Sequence, residues 1–434
     1  MPLGGVRAAP LVPLSVGLSV GLPVGLAVLL APAPAHAQPE PPGAAGPSPE
    51  APPPAAEHGW LDGDHLTGDW GGARSALADR GVAVDVFYAS EAFTARGASS
   101  VLGHVDAAIT LDTHKLGLWD GGTLYALGQN NHGNRGITDA VGSAQPVTNL
   151  EAEPYTQLTE LFFEQTVADD RLRIRIGKQD ANRDFGTPRF GGNFINNNFG
   201  MFPTTPLPSY PTTGLGAIAS AQPVAWLTGK AAIYEGSPDI GGFGLTTAFQ
   251  SGAGYTLAGG AAATHHYGPA DRDGGTTSAG AWWQSGEFPE LGSGVAMPRT
   301  FDTNAGWFVQ DDERIYLHPA NPDDPRGLTV ILRASWARPD RTPVTRYAGG
   351  SVAWHGIGPR RNDTAGLGAG TFRVAAPLGG SSGPGPGNEW FVEAFYKLRL
   401  TAFFSLQPDL QWFHHPGGDG ADALVAGLRV KVKL

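Results

Sequence analysis

The feature that most constrains this chain is an alternation of apolar and polar side chains that recurs from Val82 to Leu434. In the last eight residues, GLRVKVKL, four apolar side chains alternate with three cationic ones. Because successive side chains of a strand point to opposite faces, such a segment has one apolar and one charged face. The apolar face covers either the core of a soluble protein or the lipid-facing wall of a membrane barrel with a water-filled lumen.

The same period of two appears in further segments, separated by clusters of Gly, Pro, Asn and Asp that are typical of turns. These segments are VAVDVFYASE (82–91), HVDAAITLDTH (104–114), RLRIRIGKQD (171–180), LTVILRASWA (328–337) and WFVEAFYKLRL (390–400). At about 20 to 22 residues for each strand and its connection, about 350 residues of this pattern predict an all-β barrel of about 16 antiparallel strands, wide enough for an aqueous channel. No repeat of fixed period indicates a propeller or a solenoid.

Aromatic side chains stand near the ends of these segments, where barrels carry girdles of rings at the membrane interfaces. They are Tyr88, Trp119, Tyr125, Trp226, Tyr234, Trp336, Trp390 and Tyr396. Core aromatics of a soluble sandwich would follow the same pattern, so the alternation alone leaves both architectures open.

The first residues predict export. The apolar run from Leu11 to Leu30 is interrupted by prolines and followed by Ala35-His36-Ala37, an A-x-A cleavage pattern, so residues 1–37 indicate a signal peptide. An uncleaved anchor helix is the alternative. Outside the first 40 residues no apolar run approaches the ~20 residues of a spanning helix.

The next two segments lead into the barrel. Residues 38–57 are rich in Pro and predict an extended linker. Within residues 58–81 the stretch DWGGARSALADRG predicts a short N-terminal helix, with Asp69 as N-cap and Gly81 closing its C-terminus. The barrel domain is then expected to occupy residues 82–434.

Composition excludes several classes of protein. The chain has no Cys, so an exported form has neither disulfides nor a lipid anchor on an N-terminal Cys, and a closed hydrogen-bonded sheet is one way to hold it together. The net charge is −11. This argues against nucleic acid as a partner, because phosphate binding needs a basic surface.

Four blocks of sequence resemble the carbohydrate-selective porin family of the OprB type. They are LTGDWGGARSALADRGVAVDVFYASE (66–91), RIRIGKQDANRDFG (173–186), FINNNFGMFPTTPLPSYPTTGLGA (194–217) and HHPGGDGADALVAGLRVKVKL (414–434). The blocks stand in the family's order and span the chain from residue 66 to the end. On them the chain is identified as a member of that family.

The resemblance implies a monomeric 16-stranded barrel in the bacterial outer membrane, surrounded by lipid, with long extracellular loops and short periplasmic turns. It implies passive diffusion of glucose and other sugars down a gradient, without an energy source. We expect no cofactor. One departure is Leu434, because such barrels usually end in an aromatic residue read by the barrel insertion machinery. We expect this change to affect only the efficiency of insertion.

A sugar channel needs mixed cations, anions and amides near aromatic rings, with binding weak enough for release. An anion channel would need a strongly cationic lining instead, and 40 acidic residues against 29 basic ones disfavour it. The segment GKQDANRDF supplies every type of hydrogen-bonding group beside two inward arginines. The lining candidates are Arg173, Arg175, Lys178, Asp180, Asn182, Arg183 and Asp184, together with Glu164, Asp85 and Trp226.

Alternatives stand beside several of these candidates. The GKQDANRDF segment could instead be a loop closed by its own ion pairs or a periplasmic turn, and Trp226 could belong to a girdle. Lys178 faces outward by parity unless the strand ends or bulges at Gly177, as we expect. The run of Asn at 196–198, between two Phe, is either a loop folded into the lumen or a plain turn.

The remaining signals do not indicate an enzyme. The pairs His265-His266 and His414-His415 lack a third metal ligand at a recognisable spacing, and adjacent His side chains on a strand diverge. Adjacent acids in loops are more typical of turns than of a glycosidase pair, although a structural Ca²⁺ there is left open. No nucleophile elbow, P-loop or H-E-x-x-H motif is present. Two other functions remain open: a general or plugged outer-membrane barrel, and a secreted β-rich glycan-binding protein.

Overall fold

The structure is a computed structural model. It describes residues 61, 63–134, 136–238, 242–244, 254–267, 273–291, 298–317, 326–375 and 386–434. The expected signal peptide (1–37) and linker (38–57) lie outside the described residues. No helix within the described ranges is long and apolar enough to cross a membrane.

Sixteen antiparallel strands form one closed barrel, which confirms the predicted fold class and strand number. The strands are β1 Val82–Ala95, β2 Ala98–Asp112, β3 Gly122–Asn134, β4 Tyr155–Val167, β5 Leu172–Gln179, β6 Gly214–Val224, β7 Leu227–Glu235, β8 Tyr255–Tyr267, β9 Asp273–Pro289, β10 Thr300–Leu317, β11 Gly327–Ala337, β12 Val344–Ile357, β13 Arg360–Val374, β14 Gly387–Arg399, β15 Phe404–His414 and β16 Ala423–Lys433. The described ranges also contain four short α-helices: α1 Ala73–Asp79, α2 Ile137–Val141, α3 Asn182–Phe185 and α4 Asn197–Gly200.

Each strand pairs with the next one in sequence, and the first strand pairs with the last. In this seam β1 and β16 are in register from Phe87 opposite Lys433 to Ala95 opposite Val425. Closure leaves no free edge, which is a requirement for a sheet surrounded by lipid.

The alternation of apolar and polar residues separates the two faces of the wall as the sequence predicts. On β16, Leu428 is 41 % exposed on the outer surface, whereas Arg429 is 2 % exposed on the inner one. Ile174 and Ile176 on β5 are exposed in the same way, and Arg175 between them is buried. Outward apolar side chains are the pattern of a transmembrane barrel.

The predicted aromatic residues divide between the two faces of the wall. Trp119, Trp226 and Trp390 are exposed and fit interfacial girdles, whereas Tyr234 is fully buried. The position of an aromatic residue near a strand end therefore does not decide which face it occupies.

The connections differ in length at the two ends of the barrel. Two residues join β6 to β7, and two join β12 to β13, whereas 20 and 34 residues, 135–154 and 180–213, connect strands at the opposite end. The latter two are called loop 2 and loop 3 below. In outer-membrane barrels the short turns are periplasmic and the long loops extracellular.

The N-terminal helix lies at the turn end, beside the seam. Gly71 and Gly72 have left-handed φ angles of 68° and 95°, so α1 begins only at Ala73. The Asp69 carboxylate accepts a hydrogen bond from the Ser75 backbone N–H across 2.9 Å. The Arg74 guanidinium donates to the carbonyl oxygens of Val84 (3.1 Å) and Leu434 (2.9 Å), which connects the helix to both strands of the seam.

Loop 3 folds into the barrel and packs on the inner wall opposite β4 and β5. Three of its rings, Phe194, Phe199 and Phe202, are 1–2 % exposed. The Phe194 ring meets the Phe395 ring edge-on at 4.9 Å, and Phe199 meets Phe391 at 5.4 Å. These contacts make an apolar core between loop 3 and the inner wall of the barrel.

A stripe of glycine on the inner face of β13 makes room for these rings. A Cβ atom at Gly366, Gly368 or Gly370 would lie 2.2 to 2.5 Å from a Phe ring atom, which is closer than side chains tolerate. Loop 3 can therefore approach this part of the wall only because the residues there lack side chains.

Loop 2 also folds inward, and wall carboxylates hold it. Glu389 on β14 accepts hydrogen bonds from Ser143 Oγ (2.5 Å) and Ala144 N (3.0 Å). At the seam, Arg429 on β16 forms an ion pair with its register partner Glu91 on β1 and donates to Asn149 Oδ1 across 2.6 Å. Loops 2 and 3 together narrow the lumen.

Candidate functional site

Four of the predicted lining residues meet in one ion-pair cluster on the inner wall. Arg175 on β5 donates from Nε to Oε2 of Glu164 on β4, and from Nη1 to Oδ2 of Asp184 in loop 3, each across 2.8 Å. Arg173 lies 3.7 Å from the same Glu164 oxygen and 3.5 Å from Asp184 Oδ1. The cluster therefore attaches the start of loop 3 to β4 and β5.

Lys230 on β7 is a further member that the sequence analysis missed. Its Nζ donates to the backbone oxygen of Asp184 across 2.7 Å and lies 3.7 Å from Asp184 Oδ1. Lys230 stands in the alternating segment LTGKAAIYE, four residues before the buried Tyr234. That shared parity is the signal that could have placed its side chain inside the barrel.

Arg183 is the most open cation of the patch. Its side chain is 37 % exposed, against 29 % for Arg173 and 5 % for Arg175. It forms an ion pair with Glu160 on β4, and its guanidinium carbon lies 5.4 Å from the centroid of the Tyr125 ring. Burial alone would lower the pKa of Arg183, but the neighbouring Glu160 carboxylate outweighs it and the pKa is raised. Arg183 thus stays charged beside an aromatic ring.

Asp180 and Asn182 organise loop 3 from within. Asp180 Oδ1 accepts a hydrogen bond from Asn182 N across 2.8 Å, and Asp180 N donates to Glu160 Oε2 across 3.1 Å. Asn182 Nδ2 donates to the Gly200 backbone oxygen across 2.8 Å. Burial, and then the charge of Glu160, raise the pKa of Asp180 from 3.8 to about 6. These two residues shape the turn that presents Arg183.

A cavity of about 160 Å³ lies between α3 and the inner wall of β7 to β10. Arg183 and Lys230 line it together with Gln310 and Asp312, and the rings of Phe185 and Phe308 supply its apolar part. It therefore offers cations, an amide and a carboxylate beside ring faces. Such a surface suits a solute that both donates and accepts hydrogen bonds and has C–H faces.

Comparison with known proteins decides the family. A family model for carbohydrate-selective porins of the OprB family matches residues 96–434. The chain belongs to this family. The matched range includes three of the four blocks on which the resemblance was based, and the block at 66–91 precedes it.

Solved structures support the same fold for this porin. OprB of Pseudomonas putida, in its high-pH structure, is 18 % identical with a TM-score of 0.77 and covers 87 % of this chain and 100 % of its own. The low-pH structure of the same protein is 15 % identical with a TM-score of 0.56, covering 86 % of this chain and 99 % of its own. No curated protein sequence matches significantly. The family and the fold are those of an outer-membrane channel for carbohydrates.

Lys178 does not join the cluster in this porin. Strand β5 continues through Gly177 in unbroken register, to Lys178 against β4 and to Gln179 against β6, so the expected strand end or bulge at Gly177 is wrong. Lys178 is three residues after the inward Arg175, and an odd separation along a strand places it on the outer face. Its Nζ donates to the carbonyl oxygens of Leu158 (3.0 Å) and Gly244 (2.7 Å). The register shift occurs instead on the partner strand β4, beside Leu158.

The two remaining candidates lie at the periplasmic end of the porin. Asp85, 55 % exposed, is 3.7 Å from Lys433 Nζ near the start of β1. Trp226 is exposed in the two-residue turn between β6 and β7. Neither contacts the patch around Arg183.

The Asn run lies in the part of loop 3 that folds into the lumen, and its buried amides form hydrogen bonds within the loop and with the barrel wall. Asn196 accepts from Asn198 N across 3.0 Å, and its Nδ2 donates to Gln411 on β15. Elsewhere, His265 bonds Glu313 and His414 bonds Asp422. Within the described ranges, no three His, Asp or Glu side chains are grouped in a way that could hold a metal ion.

Proposed function

We propose that this porin lets mono- and small oligosaccharides of the glucose type diffuse passively into the periplasm as a single barrel. In this proposal the patch of Arg173, Arg183, Glu164 and Lys230 is the part of the lumen that meets the sugar. The observation that carries the proposal is the position of Arg183, a partly open cation beside an aromatic ring in an inward loop.

The chemistry of the patch suits a neutral polyol. Sugar hydroxyls can accept from guanidinium and ammonium groups and donate to carboxylates, while C–H faces can pack on the Tyr125 ring. The ion pairs already neutralise most of the positive charge of the patch, so it is not a strong binding site for anions. The cluster is partly open to water, and contact with it is therefore expected to be weak and reversible.

The proposal is tested by single-channel conductance in planar bilayers. Glucose and maltose at millimolar concentrations should reduce the ion current of the purified protein, while sulfate at the same concentration should not. Arg183→Gln, which keeps a hydrogen-bond donor for Glu160, should weaken the sugar block at least tenfold, because a hydrogen bond to a charged group contributes about 1.5–3 kcal/mol and about 1.4 kcal/mol is tenfold.

The matched control is Arg361→Gln, because Arg361 is an exposed arginine on β13 away from the patch. Sugar should block the current of this variant as strongly as it blocks that of the unmodified protein. A current that is insensitive to sugars would reduce the protein to a general porin, and the absence of current would indicate a plugged barrel. An unchanged block in Arg183→Gln would remove Arg183 from the pathway.

A further inference from the structure

The outer wall near the loop end carries a row of five side chains that are successive register partners. The row runs from β10 to β14 and consists of Trp307, Trp336, Arg346, Arg373 and Asn388. The two Trp residues share the parity of the exposed outer side chains, Trp307 itself being 46 % exposed. Because the row lies close to the long loops, it is at the level of the outer leaflet.

The two arginines of this row are directly opposite each other. Like charges that face each other across two strands destabilise the pair. Neither guanidinium has a carboxylate within salt-bridge distance in the part of the chain that the structure describes. The nearby Asp340 bonds Arg341 instead, and residues 376–385, which follow β13, contain no acidic residue in their sequence. Two uncompensated positive charges therefore face the membrane interface.

An apolar groove on the outer wall continues from this pair toward the membrane centre. Its volume is about 840 Å³, and small residues form its floor: Ala334, Ala348, Gly350 and Ala369. One carboxylate also lines it, that of Asp311, which accepts a hydrogen bond from Thr277 Oγ1 across 2.6 Å. The larger Leu332, Trp390 and Trp412 stand around it. A second depression of about 450 Å³ contains Arg346, Arg373 and Asn388 and shares Ala348 and Trp390 with the groove. Charge and apolar surface are therefore continuous.

We propose that this face binds one phosphorylated, acylated glycolipid of the outer leaflet. Its phosphate lies between Arg346 and Arg373, because guanidinium groups bind phosphate with paired hydrogen bonds. Its sugar head contacts Asn388 and Trp336, and acyl chains occupy the groove over Ala348 and Ala369. The anionic head removes the repulsion within the arginine pair, and the chains fill a groove too wide for one side chain.

Native mass spectrometry of the full-length protein in detergent tests the proposal, with lipid A as the probe. The protein should retain one lipid A, and Arg346→Gln with Arg373→Gln should weaken the retention at least tenfold. Arg361→Gln, an exposed arginine on β13 at the opposite end, should bind like the unmodified protein. Lipid A without phosphates should bind at least tenfold more weakly, and millimolar inorganic phosphate alone should not displace the lipid.

A groove variant separates the two parts of the site. Ala348→Leu with Ala369→Leu should lower lipid A retention at least fivefold although both arginines remain. Heat-modifiable migration on gels shows that each variant is folded, and sugar block of the current should be unchanged because the site is outside the lumen. Equal retention in the arginine variant, no bound lipid A, equal binding of the dephosphorylated lipid, or a dimer in place of the lipid complex would each overturn the proposal.

Discussion

Arg175 Nη1 and Asp184 Oδ2 are 2.8 Å apart, and this ion pair joins the barrel wall to loop 3 while both side chains remain almost fully withdrawn from water. Breaking a buried ion pair on one side leaves a charge without compensation. The pair therefore fixes the position of α3, and with it the position of Arg183.

Asp184→Asn removes one of the two carboxylates around Arg173, Arg175 and Lys230, so that only Glu164 remains beside the two arginines. We expect the attachment of loop 3 to weaken by about 3 kcal/mol, because one partner of a buried pair is lost. The channel should then show a larger and noisier current, and protease should cleave loop 3 faster. Asp169→Asn, in the exposed turn after β4, should change neither quantity. Identical cleavage rates in the two variants would contradict the role of the pair.

The ion pair of Glu91 and Arg429 offers a test of the seam. Arg429→Met should destabilise the barrel by about 3–5 kcal/mol, since the buried Glu91 then has no cation beside it and keeps only the hydrogen bond from Thr148. Glu91→Leu with Arg429→Met should recover most of this loss, because neither charge remains. The temperature at which the folded form disappears from gels measures both effects. A double variant less stable than the single one would argue against the explanation.

Gly368→Val tests the glycine stripe of β13. The new side chain would collide with the rings of Phe199 and Phe194, and overpacking of this kind costs about 1–3 kcal/mol. We expect loop 3 to move off the wall, so that sugar block weakens and the melting temperature falls. Gly229→Ala is the control, since a Cβ atom there has no neighbour within 4 Å. Normal sugar block in Gly368→Val would show that the loop does not depend on this contact.

The raised pKa of Asp180 predicts that the stability of loop 3 and the ion selectivity of the channel depend on pH. Its pKa is raised to about 6, so the carboxyl is neutral at pH 5 and charged at pH 7.5. A raised carboxyl pKa means that the folded loop is favoured by the protonated form and loses that contribution as pH rises through 6. As pH falls, protonation of Asp180 also makes the net charge of loop 3 one unit more positive, and the permeability for anions relative to cations should increase.

Asp180→Asn should abolish this part of the pH response because the side chain is neutral throughout. Reversal potentials in a KCl gradient at pH 5 and pH 7.5 measure it, and the difference between the variant and the unmodified protein separates Asp180 from other groups that titrate nearby. An equal shift in both proteins would contradict the assignment.

The two-residue alternation was sufficient to predict the architecture, because the face of a strand residue follows from its parity alone. It placed Arg173, Arg175 and Glu164 inside the barrel correctly. Parity alone also placed Lys178 on the outer face. The expected strand end or bulge at Gly177 was the error, because the extent of β5 depends on its pairing with β4 and β6.

Contacts made by the loops were beyond the reach of the sequence pattern. Lys230 meets Asp184 only because loop 3 folds inward, and that fold depends on ring contacts with β13 and β14, about 200 residues further along the chain. Asp180 and Asn182 looked like lining residues because of their type. Their roles as internal hydrogen-bonding groups follow from the turn that they form.

The seam between β1 and β16 makes the protein prone to aggregation at one stage of its folding. β1 and β16 are the strands farthest apart along the chain, yet each is the other's only means of satisfying one row of backbone groups. Until they pair, both strands have an unpaired edge that can form hydrogen bonds with another chain. This interval is long, because contacts between segments distant in sequence form slowly. The exported polypeptide is therefore most prone to aggregate before β1 pairs with β16. Once the barrel is closed, no strand edge remains for another chain to pair with.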